Sequence, residues 1–520
     1  MTPPLSRRGQ WITLVAALLG WMFDGLEMGL FPLVARPALK DLLGESSETE
    51  IVRWIAIITA VFLVGAATGG VLFGWLGDRV GRVRAMTLSV LTYAVFSGIC
   101  GLAGSAWQVA VCRFIASLGM GGEWSLGVAL VMEVWPDRSR AWLAGVIGAA
   151  ANVGYMLIAV FALLLTGVKD LSASIASVGV GPETSAWLGA SSGWRVLMLA
   201  GAVPALLTFL IRLFVPESGR WEAEKRKGST SHWQTVDLLG VLVGATAACA
   251  LIALWAVNDI PGVVRIVGSV GLISIVTAGF LYPIVRYIRR AEAAADGRPT
   301  ADHLPIPAEE LSAGTPTVER PVAALRATVT RLLLAAALSG VALLGTWGST
   351  QQAPTYADKM TNGQKPEAKA YTQAAAAFGA SIGCVLAALA GGWLGRRVTY
   401  ALLCIGSMVS IAGLYQLNTE YGPMFLWWAF LAGTITAAFY GWLPLYLPEL
   451  FRTKIRATGQ GFGFNFGRIL AAIGVLQLPV AMKQLDVGLP GACTAMSAIY
   501  LVGLGLIWLA PETKGKPLPA

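Results

Sequence analysis

The chain has 520 residues, of which 56% are hydrophobic and only 13% charged, with a mean hydropathy of +0.67 and a formal charge of +9. So much apolar surface exceeds what a soluble core of ordinary size can hide, and its runs are long enough to cross a membrane as helices, without the short alternating strands of a barrel. The positive charge does not signal nucleic acid, because the basic residues lie in short loops beside apolar runs, the pattern that sets orientation in a bilayer.

Measured against a span of about 20 residues, the first part of the chain predicts helices near 11–34, 52–76, 83–104, 108–134, 141–167 and 194–215. The leading Ser6-Arg7-Arg8-Gly9-Gln10-Trp11 faintly resembles a twin-arginine signal. Asp24 and Glu27 interrupt the run that follows and no clean cleavage site appears, so the segment reads as a basic anchor for the first helix. These spans form a first bundle, 1–215, and a cytoplasmic segment, 216–235, follows it. Two further apolar runs, 237–257 and 263–287, flank the turn Asn258-Asp259-Ile260-Pro261-Gly262 and predict an additional transmembrane hairpin, 236–287. Residues 288–326, with Pro299, Pro305, Pro307, Pro316 and Pro321, read as a flexible cytoplasmic linker. A second set near 327–350, 371–394, 399–417, 424–447, 457–483 and 490–510 makes a second bundle, 327–520. The expected fold is an all-α integral membrane protein of two six-helix bundles plus the hairpin, about 14 spans in all.

With alternating spans, the arginine-rich loops around residues 7–8, 79–84, 138–140, 220–227, 286–290, 396–397 and 452–456 fall on one side, which places both termini in the cytoplasm. The six cysteines lie in apolar runs without paired spacing, and His232 and His303 lie in polar connections, so neither a disulfide frame nor a metal site is implied. No glycine-rich loop ending in Lys-Ser or Lys-Thr exists, which removes direct ATP drive.

The halves echo one another. Gly74-Trp75-Leu76-Gly77-Asp78-Arg79-Val80-Gly81-Arg82 returns as Gly392-Trp393-Leu394-Gly395-Arg396-Arg397-Val398, an offset of 318 residues. Glu133 and Arg140 share their spacing with Glu449 and Arg456, and Pro216-Glu217-Ser218 has its counterpart in Pro511-Glu512-Thr513. Duplicated helical halves are the architecture of alternating-access transporters.

Over most of the chain these motifs resemble the major facilitator superfamily. The Glu133-to-Arg140 spacing and the Pro-Glu motifs look like its sugar porters. Asp24-Gly25-Leu26-Glu27, Arg113-Phe114-Ile115 and Gly119-Met120-Gly121-Gly122-Glu123-Trp124 look more like its organic-anion and proton symporters, the sialate and monocarboxylate group. The resemblance implies two pseudo-symmetric bundles, proton coupling through the acidic pair, and a cytoplasmic gate of ion pairs built from Asp78, Arg79, Arg82, Glu133, Arg140, Glu217, Glu449, Arg456 and Glu512. Where the monocarboxylate group often carries Gln-Asp, this chain has Gln351-Gln352, which removes a charge.

Asp24, Glu27, Arg113, Glu123 and Arg468 fall within predicted spans, where each charge costs about 2.5–3.5 kcal/mol on insertion scales. Asp24 and Glu27 lie one turn apart, so their repulsion predicts that one holds a proton; with Glu123 they are the proton-coupling candidates, the alternative being neutralisation by Arg113 or Arg468. Arg468, near the midplane in the opposite half, is the candidate grip on a substrate carboxylate, or else a structural partner of those acids. Arg113, Gln351, Gln352, Tyr356, Asn152, Tyr155 and Asn465 complete the candidate substrate lining, with Arg113 alternatively paired to Glu27. Asp78 is expected to accept from a helix start, Arg79 and Arg82 to reach acidic neighbours, and the second copy of the loop, which lacks the acid, mainly to fix topology. The expected function is proton-coupled import of a small organic anion across the cell membrane, with the proton gradient as energy source, no cofactor, no enzymatic activity and a functional monomer. A sugar or drug carrier, or a non-transporting membrane sensor, are the alternatives.

Overall fold

The computed structural model describes residues 7–295 and 321–519 apart from 45, 47, 167, 169, 213, 258, 259, 366 and 485. Lipid offers no hydrogen bonds, so the apolar runs close their own as long helices. The first half contains α1 (Arg7–Leu43), α2 (Glu48–Val80), α3 (Arg82–Cys100), α4 (Ala106–Val134), α5 (Arg140–Thr166), a short α6 (Leu171–Ser177) and α7 (Pro182–Arg212). A short α8 (Gly219–Arg226) leads to the hairpin α9 (Leu238–Ala256) and α10 (Gly262–Ala295). The second half contains α11 (Pro321–Gly348), a short α12 (Ala353–Met360), α13 (Glu367–Leu394) and α14 (Arg396–Gln416). Its last three spans are each broken in two: α15 (Pro423–Thr436) with α16 (Phe439–Tyr446), α17 (Arg456–Asn465) with α18 (Gly467–Gln484), and α19 (Leu489–Met496) with α20 (Ile499–Leu506). Among the described residues there is no strand, and 13 segments are long and apolar enough to cross a membrane. The expected sixth span, 194–215, falls on α7, several of whose side chains lie outside the described residues.

Both flanks of the expected linker 288–326 are helical, since α10 runs on to Ala295 and α11 starts at Pro321, a residue whose missing N–H costs nothing in a first turn. The rest of that segment, 296–320, lies outside the described residues, as do Asn258 and Asp259 of the hairpin turn.

Close helix approach organises the bundle. A Cβ at Gly25 would stand 1.7 Å from the Ala151 carbonyl oxygen, and one at Gly154 would stand 1.6 Å from that of Met22, so α1 and α5 pack backbone to backbone. Two seams join the halves. At one, α2 meets α17 and α18; at the other, α5 meets α13 and α16. The hairpin packs through α9 against both α2 and α18, on the first seam.

What fastens the hairpin is a buried fork. Arg290 donates from Nη1 to Asp237 Oδ2 at 2.7 Å, from Nη2 to Asp237 Oδ1 at 2.6 Å, and to the His232 carbonyl at 3.0 Å. Tyr287 stacks on Trp233 beside it, with ring centroids 4.3 Å apart. The far face of α10 shows Val263, Ile266, Val267 and Val270 outward, as a wall against lipid does. Removing one partner of a buried pair strands the other charge at a cost of about 3–5 kcal/mol, whereas removing both does not. Asp237→Ala should therefore lower the melting temperature in detergent, and Asp237→Ala with Arg290→Met should recover most of it; equal melting of the single and double variants would contradict this docking.

Candidate functional site

The arginine-rich loops gather at one end of the bundle, the basic face, where both copies of the repeated loop fold alike. Gly81 and Gly395 precede α3 and α14 with φ of 119° and 99°, a region open to glycine and strained for other residues. The next residue in each case, Arg82 or Arg396, turns its Nη1 back to the carbonyl five residues earlier, that of Gly77 at 2.8 Å or Gly391 at 2.7 Å. Its backbone N–H donates to the glutamate after the sixth span of its own half, Glu217 at 3.0 Å or Glu512 at 3.0 Å. The structural repeat thus pairs Gly81 with Gly395 and Arg82 with Arg396. The Gly-Trp-Leu-Gly match in the sequence is one helical turn out of this register, and Gly392 stands where the first copy has Asp78.

Around these arginines the halves exchange charges reciprocally. Glu133 Oε1 in α4 accepts from Arg82 of its own half at 3.4 Å and from Arg456 of the other half at 2.9 Å. Glu449 Oε1 accepts from Arg396 of its own half at 2.7 Å and from Arg140 of the other half at 3.2 Å. Ser218 and Thr513 each donate a hydroxyl at 2.5 Å to the remaining oxygen. Asp78 adds an unduplicated bond across the seam: Oδ2 accepts from the Thr458 N–H at 2.8 Å and its hydroxyl at 2.6 Å, capping the start of α17, while Oδ1 meets Arg82 at 2.6 Å.

Glu217 and Glu512 lie outside the spans and differ in environment. Burial pushes the Glu217 carboxyl above its usual range despite its backbone donors. For Glu512 burial also acts upward but is outweighed by the N–H groups of Arg396, Arg397, Lys514 and Thr513, which hold it below. Folding therefore gains from ionised Glu512 above the usual carboxylate range and loses that gain as pH falls through the depressed value.

Two expectations for this face need correction. Among the described residues Arg79 reaches no carboxylate; it donates to the Thr235 hydroxyl at 2.7 Å and lies over the Trp75 ring, because Thr235 at the foot of the hairpin is within reach. The second loop copy also does more than fix topology, since Arg396 forks onto both oxygens of Glu449.

Midway along the bundle lies a small cavity of about 40 Å³, lined by Asn152, Tyr155, Thr346, Thr350, Gln351, Gln373 and Tyr440 over a floor of alanine and glycine from α13 and α15. A water claims roughly 30 Å³ of liquid and drug-sized ligand pockets run to about 300–1,000 Å³, so this cavity is far smaller than such a pocket. The Tyr155 hydroxyl donates to Gln351 Oε1 at 2.6 Å, tying α5 to the end of α11 across the seam.

The intramembrane charges sort into partnerships. Glu27 pairs with Arg113, whose guanidinium is buried between the Phe31 and Phe62 rings. Asp24 lies within electrostatic range of Arg468 of the opposite half. Arg468 is 6% exposed, lies over the Phe464 ring and beside Tyr440 of the cavity wall, and its Nη1 finds no hydrogen-bond acceptor among the described residues. Glu123 is fully buried one position before Trp124, which stacks on Phe464 at 3.7 Å.

The remaining lining candidates divide. Asn152, Tyr155 and Gln351 reach the cavity. Gln352 turns back to the Trp347 carbonyl, Tyr356 donates to the Asn418 carbonyl among Tyr415 and Phe425, and Asn465 bonds the Gly121 carbonyl where α17 crosses α4. Arg113 is likewise held by Glu27 away from the cavity wall. The helices turn at Ser349–Gln352, so a polar stretch that reads as one face in sequence is split between two directions. Gln373 and Arg396 carried no site expectation; the first sits alone in an alanine run and the second reads as an orientation charge. Among the described residues no group of three or more His, Cys, Asp or Glu is placed to hold a metal ion.

Comparison with known proteins adds the following. Residues 12–235 match the family model described as "Sugar (and other) transporter", and residues 218–475 match that of the Major Facilitator Superfamily. A "Probable 4-methylmuconolactone transporter" of Cupriavidus pinatubonensis is 25% identical over 97% of this chain and 91% of its own length. The cis,cis-muconate transport protein of Acinetobacter baylyi is 25% identical over 94% and 92%. Among solved structures, the proton:xylose symporter XylE is similar with a TM-score of 0.65 at 16% identity, covering 99% of this chain and 98% of that one.

If the reciprocal glutamates hold the basic face shut, Glu133→Gln and Glu449→Gln, each weakening two arginine contacts, should separate the halves there. Spin labels at Arg84 and Lys514 report the opening as a longer distance distribution in either variant; unchanged distances in both would remove the gate from these residues.

Proposed function

The chain belongs to the major facilitator superfamily and is a multi-pass membrane transporter rather than an enzyme, and we propose that it takes up a small organic anion together with protons. The observation that carries this reading is Arg468 of the second half, buried over the Phe464 ring with its Nη1 lacking an acceptor among the described residues, and within electrostatic range of Asp24 of the first half. A guanidinium with an open Nη1 can accept a carboxylate in a water-poor site, where charge-assisted bonds are strong. Asp24 competes for the same cation. Protonating Asp24 frees Arg468 for the substrate, and substrate departure returns Arg468 to Asp24, which links anion and proton movement. Glu27, neutralised by Arg113, then serves as a fixed brace, and Glu123 is the further candidate for a proton.

Energetics favour coupling. An anion entering a negative-inside cell is opposed by about 2.3 kcal/mol per charge per 100 mV, and a co-transported proton cancels that term. The excess of arginine in its short loops supports the cytoplasm as the side of the basic face and of both termini. The relatives named for muconate and 4-methylmuconolactone support small organic acids as the class. A second reading, a sugar carrier in which Arg468 is structural, draws on the uncharged hydrogen-bonding lining of the cavity.

Proteoliposome uptake of labelled lactate, muconate, benzoate and xylose under an imposed acid-outside gradient separates the two. The expected result is gradient-accelerated anion uptake, a loss of more than about tenfold in Arg468→Ala, and an Asp24→Asn protein that exchanges anion without responding to pH. Acid-driven sugar uptake without anion uptake would overturn the anion reading, and Arg468→Ala with full anion affinity would move the grip elsewhere.

A further inference from the structure

Three polar donors around the cavity are spent within the protein. The Tyr155 hydroxyl goes to Gln351, that of Thr346 to the Ala342 carbonyl at 2.8 Å, and the Asn152 amide to the Gly148 carbonyl at 2.9 Å. Gln373 in α13 is different. It lines the cavity, is 1% exposed, and extends its Nε2 across the seam to the Tyr155 carbonyl at 3.2 Å and the Gly29 carbonyl at 3.5 Å. Main-chain carbonyls only accept, so both contacts require the amide nitrogen and fix the direction of the group. Oε1 is thereby left as a buried acceptor with no donor among the described residues. An acceptor in that state is costly and becomes favourable once a donor arrives.

We infer that Gln373 is a specificity-determining residue that selects, among small organic anions, those bearing a hydroxyl or N–H group, by accepting a hydrogen bond from it. This rests on the anion reading above. Arg468 grips the carboxylate and Gln373 reads the second polar group, so an acid without a donor leaves Oε1 unmet and binds less well. Because the same side chain bridges α13 to α1 and α5, a correctly hydrogen-bonded substrate and closure of the two halves meet at one amide.

Matched pairs test this: lactate against propionate, and 4-hydroxybenzoate against benzoate, in competition for uptake by reconstituted full-length protein. The wild type should favour the hydroxylated member of the better-carried pair by about tenfold, the worth of one buried hydrogen bond. Gln373→Met, similar in length but without the acceptor, should bring that ratio near one, even where loss of the bonds to Tyr155 and Gly29 lowers uptake of both members. A role confined to holding helices would lower both members alike and keep the ratio, and that result would overturn the proposal, as would a wild type indifferent to the hydroxyl. Should the variant fail to fold, thermal stabilisation of the wild type by each member of a pair gives the same ratio without mutation. If the protein carries neutral solutes only, the anion reading falls, and a sugar against its deoxy analogue then decides the role of Gln373 by itself.

Discussion

Charges inside a lipid-embedded bundle must find their partners within the protein, and at the basic face two glutamates each meet an arginine of the opposite half. Glu133 with Arg456 and Glu449 with Arg140 each draw one member from each bundle, and Asp24 lies within electrostatic range of Arg468 across the same divide. An ion pair built within one bundle would leave the two free to part. Built across the seam, it makes their relative position a matter of electrostatics, and each glutamate keeps an arginine of its own half as a resident partner when the other leaves. Separation therefore does not strand a bare carboxylate in the protein interior, which keeps the cost of opening below that of breaking an isolated buried pair.

The division between brace and working charge follows from the same accounting. Glu27 and Arg113 belong to α1 and α4 of one half, enclosed by Phe31 and Phe62, and no movement between halves disturbs them. Asp24, one turn before Glu27 on the same helix, lies within electrostatic range of Arg468 in the other half. Two acids that share a helix face thus have different duties, decided by which neighbouring helix each one meets.

Much of the architecture was legible in the sequence because span length, loop charge and the Pro-Glu and Glu-to-Arg echoes are local signals that lipid enforces. The register of the repeated loop was not. Gly-Trp-Leu-Gly recurs as letters at an offset of 318 residues, whereas the backbone repeats at Gly81 and Gly395, one turn away, since what is conserved physically is a positive-φ glycine followed by an arginine that folds back on its own helix. The polar run from Thr346 to Tyr356 misled in a similar manner, because a turn at Ser349–Gln352 sends Gln351 inward and Gln352 and Tyr356 elsewhere. Gln373 was illegible for a third reason: a single amide among alanines has no pattern, and only the two carbonyls that orient it give its free oxygen meaning.

The hairpin rests on α2 of one half and α18 of the other while α10 turns an apolar wall outward. Any motion that parts those two helices must peel α9 from one of them and sweep α10 sideways through the surrounding acyl chains. The conformational equilibrium then contains a mechanical contribution from the bilayer, so lateral pressure and acyl-chain order become thermodynamic variables of the protein alongside voltage and proton concentration.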